Sequence, residues 1–197
     1  MGDAGASEEG GARYFYRPSL VGAPREFALN GSGIGWSAGR HSGHVPYAAV
    51  RRVRLSYRPA NLQTYRFVTE VWAQGAPRLT VVSTSWKGMT VQERLDAPYV
   101  AFVTALHERI ARAGAAVLWE KGTSPLTYWP GLAAFVIVAL ALAALIARAC
   151  QVRGFTAAIF IAAFLAVFLW QGGNFFRRNR PGIYRPDALP PDLIPKT

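Results

Sequence analysis

Two long uncharged segments near the end of the chain constrain its fold more than any other feature. They run from Thr127 to Ala147 and from Gly154 to Phe176, over 21 and 23 residues. A helix of about 20 apolar residues spans the hydrocarbon core of a bilayer. Buried helices of a soluble protein are the alternative, but a soluble helix of this length normally has a polar face, which both segments lack. The sequence therefore predicts two membrane-spanning helices, at 127–147 and 154–176.

The six residues between these segments, RACQVR at 148–153, are too few for anything but a tight turn, so the helices are expected to form a hairpin. Both flanking segments then lie on one side of the membrane. Interfacial aromatic side chains are predicted near the helix ends, at Tyr128, Trp129 and Trp170. Small residues recur every four positions and predict close packing within the hairpin, at Ala139, Ala143 and Ala147 and at Ala158, Ala162 and Ala166.

Positive charge distinguishes the two ends of the predicted hairpin. A basic cluster follows the second helix and comprises Arg177, Arg178 and Arg180, whereas the turn offers only Arg148 and Arg153. Membrane proteins keep an excess of Lys and Arg on the cytoplasmic side. We therefore expect both termini in the cytoplasm and the basic cluster at the membrane interface on that side.

Residues 13–125 are predicted to form a soluble domain, preceded by a disordered tail at residues 1–12. Alternating or β-branched residues predict strands at 50–58, 65–73 and 78–86, and Asn30-Gly31 predicts a hairpin turn. A helix is predicted between Asp96 and Gly114. Its apolar residues have the spacing of one helix face: Tyr99, Phe102, Val103, Leu106 and Ile110. Strands followed by one amphipathic helix indicate the α+β class.

The segment VRRVRLSYRP, residues 50–59, contains the candidate binding residues. Its alternation predicts that Val53, Leu55 and Tyr57 face the core, and that the intervening arginines face solvent. Those arginines, Arg52, Arg54 and Arg58, are candidate contacts for an anionic surface, with an ordinary solvated strand face as the alternative. On the next strand Arg66 and Glu70 are predicted to share the outward face, so that one arginine forms an exposed ion pair there.

Residues suited to catalysis or metal binding do not form a convincing set. His41 and His44 have a spacing that could hold a metal, but no cysteine lies near them, and a polar turn is the simpler interpretation. His107 and Glu108 are interpreted as surface residues of the predicted helix. The one cysteine, Cys150, excludes an intramolecular disulfide. We expect no enzymatic activity, no cofactor and no metal.

The last segment, residues 177–197, is basic and rich in proline. Prolines favour an extended backbone, and Leu189, Leu193 and Ile194 supply apolar side chains. Three interpretations stay open: a strap that folds back on the soluble domain, a ligand for a partner, and a disordered tail.

An antiparallel strand meander closed by one amphipathic helix resembles a pleckstrin-homology-like (PH-like) domain. The phrase Val45-Pro46-Tyr47-Ala48-Ala49-Val50-Arg51-Arg52-Val53 is similar to the I-P-Y-x-x-I-x-x-V pattern of PH-like domains in small bacterial membrane proteins. The resemblance covers residues 26–115. It implies an antiparallel β-sandwich or barrel capped by one C-terminal helix, here followed by the transmembrane hairpin. The uncharged loop LNGSGIG lacks the basic residues that bind phosphoinositides in eukaryotic members.

These features lead to one expected function and one alternative. The first is a non-enzymatic protein of the bacterial inner membrane whose cytoplasmic PH-like domain binds a protein partner or anionic lipid headgroups. The net charge of +11 agrees with an anionic partner. The alternative is an accessory subunit of a larger membrane enzyme or transport complex. Homo-oligomers stay open, and no nucleic acid is expected, because the aromatic residues mostly fall on predicted core faces.

Overall fold

The computed structural model describes residues 11–19, 21–58, 65–88 and 92–195. These residues form two compact units. The sheet unit comprises residues 11–120 together with 183–195, and the helical hairpin comprises residues 121–182. The predicted disordered tail falls largely outside the described residues.

Four strands form an antiparallel meander at the start of the sheet unit. They are β1 (Arg13–Tyr16), β2 (Arg25–Leu29), β3 (Gly33–Ala38) and β4 (His41–Pro46). Asn30-Gly31 lies in the turn between β2 and β3, as predicted, and the Asn30 amide donates to the Gly33 carbonyl at 2.9 Å. The inward residues of this sheet are large and apolar, and they include Tyr14, Tyr16 and Phe27.

The second sheet is built on three further antiparallel strands, β5 (Val50–Tyr57), β6 (Phe67–Ala73) and β7 (Leu79–Val82). A short ribbon follows, formed by β8 (Thr84–Trp86) and β9 (Gln92–Arg94). After helix α1 (Asp96–Arg112), strand β10 (Leu118–Lys121) joins the second sheet beside β5. Strand β11 (Gly182–Ile183), from the far end of the chain, forms its edge, so the order is β11-β10-β5-β6-β7.

Helix α1 closes the core with the predicted apolar stripe. Its five stripe residues are all 2% exposed or less, as are Val53, Leu55 and Tyr57 of β5. The Tyr99 hydroxyl lies 2.7 Å from Thr69 Oγ1 on β6, and the Phe102 ring lies 5.4 Å from that of Tyr14. Gly114 follows the helix with φ of +67°, a conformation that glycine adopts without strain. The α+β class is therefore confirmed, with antiparallel sheets packed against a helix.

Helices α2 (Pro125–Gln151) and α3 (Phe155–Arg178) form the helical hairpin. Their mean hydropathies over the most apolar windows are 2.6 and 2.0, and both are long and apolar enough to cross a membrane. The contact between them matches the predicted alanine ridges only in part: Ala158 is buried and Ala139 is half-buried, but the other ridge residues are exposed, namely Ala143, Ala147, Ala162 and Ala166. Aromatic packing replaces the ridges: the Phe135 ring stacks on Phe168 at 4.7 Å, next to Gly172, where any Cβ would overlap Phe135.

Gly122, at the start of the hairpin, has φ of +78°, and a Cβ there would overlap the carbonyl oxygens of Asn179 and Arg180. Gly75 has a similar φ of +70° with open space around it. We expect Gly75→Ala to cost about 1–2 kcal/mol through its backbone alone. Gly122→Ala is expected to cost more than about 3 kcal/mol, because the overlap adds to the backbone strain. Thermal unfolding of the full chain in detergent checks this, and equal losses for the two variants would contradict it.

Candidate anion-binding face

Strand register brings five arginines to one face of the second sheet. Arg52, Arg54 and Arg58 alternate with the buried residues of β5, and Arg54 lies opposite Glu70 on β6. Trp72 on β6 and Arg66, one residue before β6, follow the same alternation as Glu70. Glu70 in turn lies opposite Thr80, so Arg78, one residue before β7, shares this face by the same alternation. We name this surface the arginine face and define it by Arg52, Arg54, Arg58, Arg66, Arg78, Glu70, Trp72 and Glu120.

One end of the arginine face is organised by Trp72 and Glu120. The guanidinium carbon of Arg52 lies 4.5 Å from the Trp72 ring centroid, and that of Arg54 lies 5.3 Å from it. Arg54 Nε donates to Glu120 Oε2 at 2.9 Å, and Arg52 Nη1 lies 3.9 Å from the same oxygen. The Arg54 side chain is largely covered, whereas that of Arg52 is more open. Arg54 is therefore mainly structural here, and Arg52 presents its charge to solvent.

The other end is organised by Glu70, which forms the predicted ion pair with an arginine. The predicted exposure of Glu70 is wrong, because its side chain is only 2% exposed. Arg58 Nη2 lies 3.3 Å from Glu70 Oε2, and Arg78 Nη1 lies 3.4 Å from Glu70 Oε1. The two arginine side chains are 52% and 57% exposed. Glu70 can be buried because these two guanidiniums pair with its carboxylate, since a buried charge is stable only when it is paired.

Arg66 adds a third positive charge beside Arg58. The Arg58 amide donates to the Arg66 carbonyl at 2.8 Å, so the two residues are backbone neighbours. Arg66 Nε is buried and donates to no acceptor among the described residues. Burial and then the neighbouring Arg58 charge lower the pKa of Arg66. Five arginines against two glutamates leave this face with a net positive charge.

A buried polar cluster lies on the helix side of the same unit, and it corrects the expectation for His107. His107 is 1% exposed instead of lying on the surface. Its Nδ1 lies 2.7 Å from the Val103 carbonyl, which can only accept, so Nδ1 carries the proton and Nε2 accepts from the Tyr184 hydroxyl at 2.7 Å. The His107 ring stacks on Trp119 at 4.8 Å. Burial lowers the pKa of His107 to about 4.

Tyr184 belongs to the proline-rich C-terminal segment, which contacts the sheet unit in three ways. The Tyr184 amide donates to the Trp119 carbonyl at 3.1 Å. Its hydroxyl reaches His107, and burial raises the pKa of that hydroxyl. Further along, Leu193 is 1% exposed in a 3₁₀ turn, Pro191–Leu193, that neighbours β5. Of the three interpretations of this segment, these contacts match the strap.

The other residues singled out from sequence lie in two places. In the helical hairpin, Trp129 and Trp170 are exposed, but Tyr128 is buried instead of lying at the surface. The Tyr128 hydroxyl donates to the Phe176 carbonyl at 3.3 Å, so Tyr128 joins the two helices. The basic cluster lies at the end of α3 and just after it. Arg177 Nη2 and Arg178 Nε donate to Asn174 Oδ1 at 3.3 and 3.2 Å, and Arg180 is exposed.

In the sheet unit, His41 and His44 lie on β4, where His44 Nε2 is 3.2 Å from Ser32 Oγ.

Within the residues that the structure describes, no group of three or more His, Cys, Asp or Glu side chains could hold a metal ion. Sequence reasoning also missed part of the arginine face. Arg78 and Glu120 are distant in sequence from β5, and their membership depends on strand order, which alternation alone does not reveal. The alternation of β6 did indicate that Trp72 and Arg66 share the face of Glu70.

Comparisons with known proteins give no relative to draw on. No protein-family model, no curated protein and no solved structure matches this chain.

Proposed function

We propose that this chain is a non-enzymatic protein of the bacterial inner membrane, with a PH-like sheet unit in the cytoplasm that binds anionic groups through the arginine face. Those groups belong to lipid headgroups or to an acidic protein partner. The observation that carries this proposal is the net positive arginine face on a unit joined covalently, twice, to a pair of long apolar helices. Anchoring restricts the sheet unit to the membrane surface, where each Lys or Arg near an anionic leaflet contributes about 1 kcal/mol.

Several features support the components of this proposal. Two antiparallel meanders followed by an amphipathic helix agree with a PH-like architecture. The basic residues at the end of α3 outnumber those of the turn between the helices, which favours cytoplasmic termini. The side chains of Arg52, Arg58 and Arg78 are 39% exposed or more, although each has a carboxylate nearby. Such an arrangement holds the arginines in place while leaving N–H groups for a ligand.

Neutralising two arginines of this face tests the proposal. The full chain in phosphatidylcholine nanodiscs is mixed with vesicles of phosphatidylcholine, alone or with phosphatidylglycerol, and binding is measured by flotation. We expect binding only to the anionic vesicles. Combining Arg52→Gln with Arg58→Gln is expected to weaken it by about 2 kcal/mol, or about 30-fold. Glu70 keeps Arg78 as a partner in this variant.

The matched control combines Arg40→Gln with Arg112→Gln. Both of these arginines are exposed and lie outside the arginine face, and the net charge changes by the same amount. The control is expected to retain vesicle binding. An equal loss of binding in both variants would show that binding depends on net charge and not on the arginine face. Equal binding to neutral and anionic vesicles would exclude anionic lipid headgroups as the bound group and leave an acidic protein partner. Purification from native membranes then separates two cases: an acidic partner is lost with the arginine-face variant, and a complex in which this chain is an accessory subunit is retained.

A further inference from the structure

Glu70 holds two guanidiniums at a defined separation on the arginine face. Its two carboxylate oxygens contact different arginines, Oε2 with Arg58 and Oε1 with Arg78. Because the carboxylate is buried, its position is set by the sheet, and the arginines that contact it are set in turn. A flexible arginine loses side-chain entropy when it binds a ligand, and prior immobilisation removes much of that cost.

Each of these arginines contributes one nitrogen to the contact with Glu70. A guanidinium has five N–H donors in a planar fork, so most donors of Arg58 and Arg78 stay open, in agreement with side chains that are more than half exposed. Arg66, beside Arg58, is the third cation of the group. Three arginines and one carboxylate carry a net charge of +2, which a dianion would neutralise.

Planar guanidinium donors pair bidentately with tetrahedral oxyanions, and phosphate oxygens are acceptors in the matching geometry. We propose that Arg58, Arg66 and Arg78, positioned by the buried carboxylate of Glu70, form a binding site for a phosphate monoester dianion. This inference rests on the proposed function and specifies the anionic group that the arginine face recognises. The group occurs both as a soluble phosphate monoester and as a phosphatidic acid headgroup. Phosphatidylglycerol, a phosphate diester with one charge, lacks it.

Glu70→Gln gives a sharp test, because simple electrostatics and a positioned site predict opposite results. Removing a negative charge makes the face more positive, so a non-specific basic surface would bind anions more tightly. A site positioned by Glu70 would bind about 10-fold more weakly, because Arg58 and Arg78 lose their anchor. The full chain in phosphatidylcholine nanodiscs is titrated with glycerol 3-phosphate, and in a second arm it is floated with vesicles containing phosphatidic acid or phosphatidylglycerol at matched surface charge.

A second variant covers the case in which Glu70→Gln unfolds the unit. Combining Arg58→Lys with Arg78→Lys preserves every charge but removes the planar forks, and we expect about 10-fold weaker binding of glycerol 3-phosphate and of phosphatidic acid vesicles. Arg40→Lys with Arg112→Lys is the matched control and is expected to bind normally. Binding in the lipid arm alone would identify the headgroup as the source, and binding in both arms would identify a soluble monoester as sufficient.

Three results would overturn the inference. They are unchanged binding in the lysine variant, tighter binding in a folded Glu70→Gln variant, and equal binding of phosphatidic acid and phosphatidylglycerol vesicles. If vesicle binding still falls in the variant with glutamines at positions 52 and 58, the arginine face is a general anionic surface and the proposed function survives. If the unsubstituted chain binds neither glycerol 3-phosphate nor any anionic vesicle, the phosphate site and the lipid version of the proposed function fail together.

Discussion

Lowering the pH from 7 to about 4 is expected to destabilise the sheet unit by about 3 kcal/mol through His107 alone. The folded-state pKa of His107 is about 4, whereas an unfolded histidine titrates near 6.5. The folded pKa is depressed, so the unfolded state binds the proton first as the pH falls. The stability that His107 contributes is therefore complete above pH about 6.5 and is lost progressively down to pH about 4. The physical cause is the burial of an imidazole between Val103, Trp119 and Tyr184.

Chemical unfolding of the full chain in detergent at a series of pH values measures this loss. His107→Gln removes the titrating group, and its stability is expected to change less between pH 6.5 and 4 than that of the unsubstituted chain, by about 3 kcal/mol. His41→Gln is the control substitution, because His41 is exposed on β4 and has no part in the contacts of His107. The same pH profile in the His107 variant and in the unsubstituted chain would show that His107 is not the responsible group.

Leu193→Ala is expected to cost about 2–5 kcal/mol, although only four residues follow it in the sequence. Leu193 is 1% exposed, so truncation leaves a cavity where the C-terminal strap meets the sheet unit. Ile183→Ala provides the matched control, because Ile183 lies in the same strap and is 74% exposed. The control is expected to stay within about 0.5 kcal/mol of the unsubstituted chain. Unfolding midpoints in denaturant compare the two variants, and equal small losses would mean that the strap contributes no stability.

The elements that could be predicted from the sequence are those defined by local periodicity. The stripe of α1 repeats at helical spacing, so its burial against a sheet follows from residues within one element. The alternation of β5 likewise separates Val53, Leu55 and Tyr57 from the arginines. The two apolar helices can be predicted from even less information, since the length of each segment and its lack of charge are sufficient to identify it.

The elements that could not be predicted depend on partners from distant parts of the chain. Glu70 alternates as an outward residue, and it is buried because Arg58 and Arg78 cover it from two other strands. His107 lies beside the predicted stripe on α1. It is buried because it contacts Tyr184, which lies 77 residues further along the chain. Polar residues on apparently solvated faces are therefore the ones for which local pattern is least informative, because each is buried by a specific distant contact.

The double passage of the chain between its two units has a consequence for biosynthesis. The sheet unit is split in sequence, and the helical hairpin is inserted between its halves. During translation β10 is made before its edge partner β11. His107 and Trp119 likewise cannot contact Tyr184 until both apolar helices have been made. If both helices cross a membrane, as proposed, insertion of only one of them would place Tyr184 and Leu193 on the side opposite the rest of the sheet unit. Under that proposal, insertion of both helices is a precondition for completing the sheet unit.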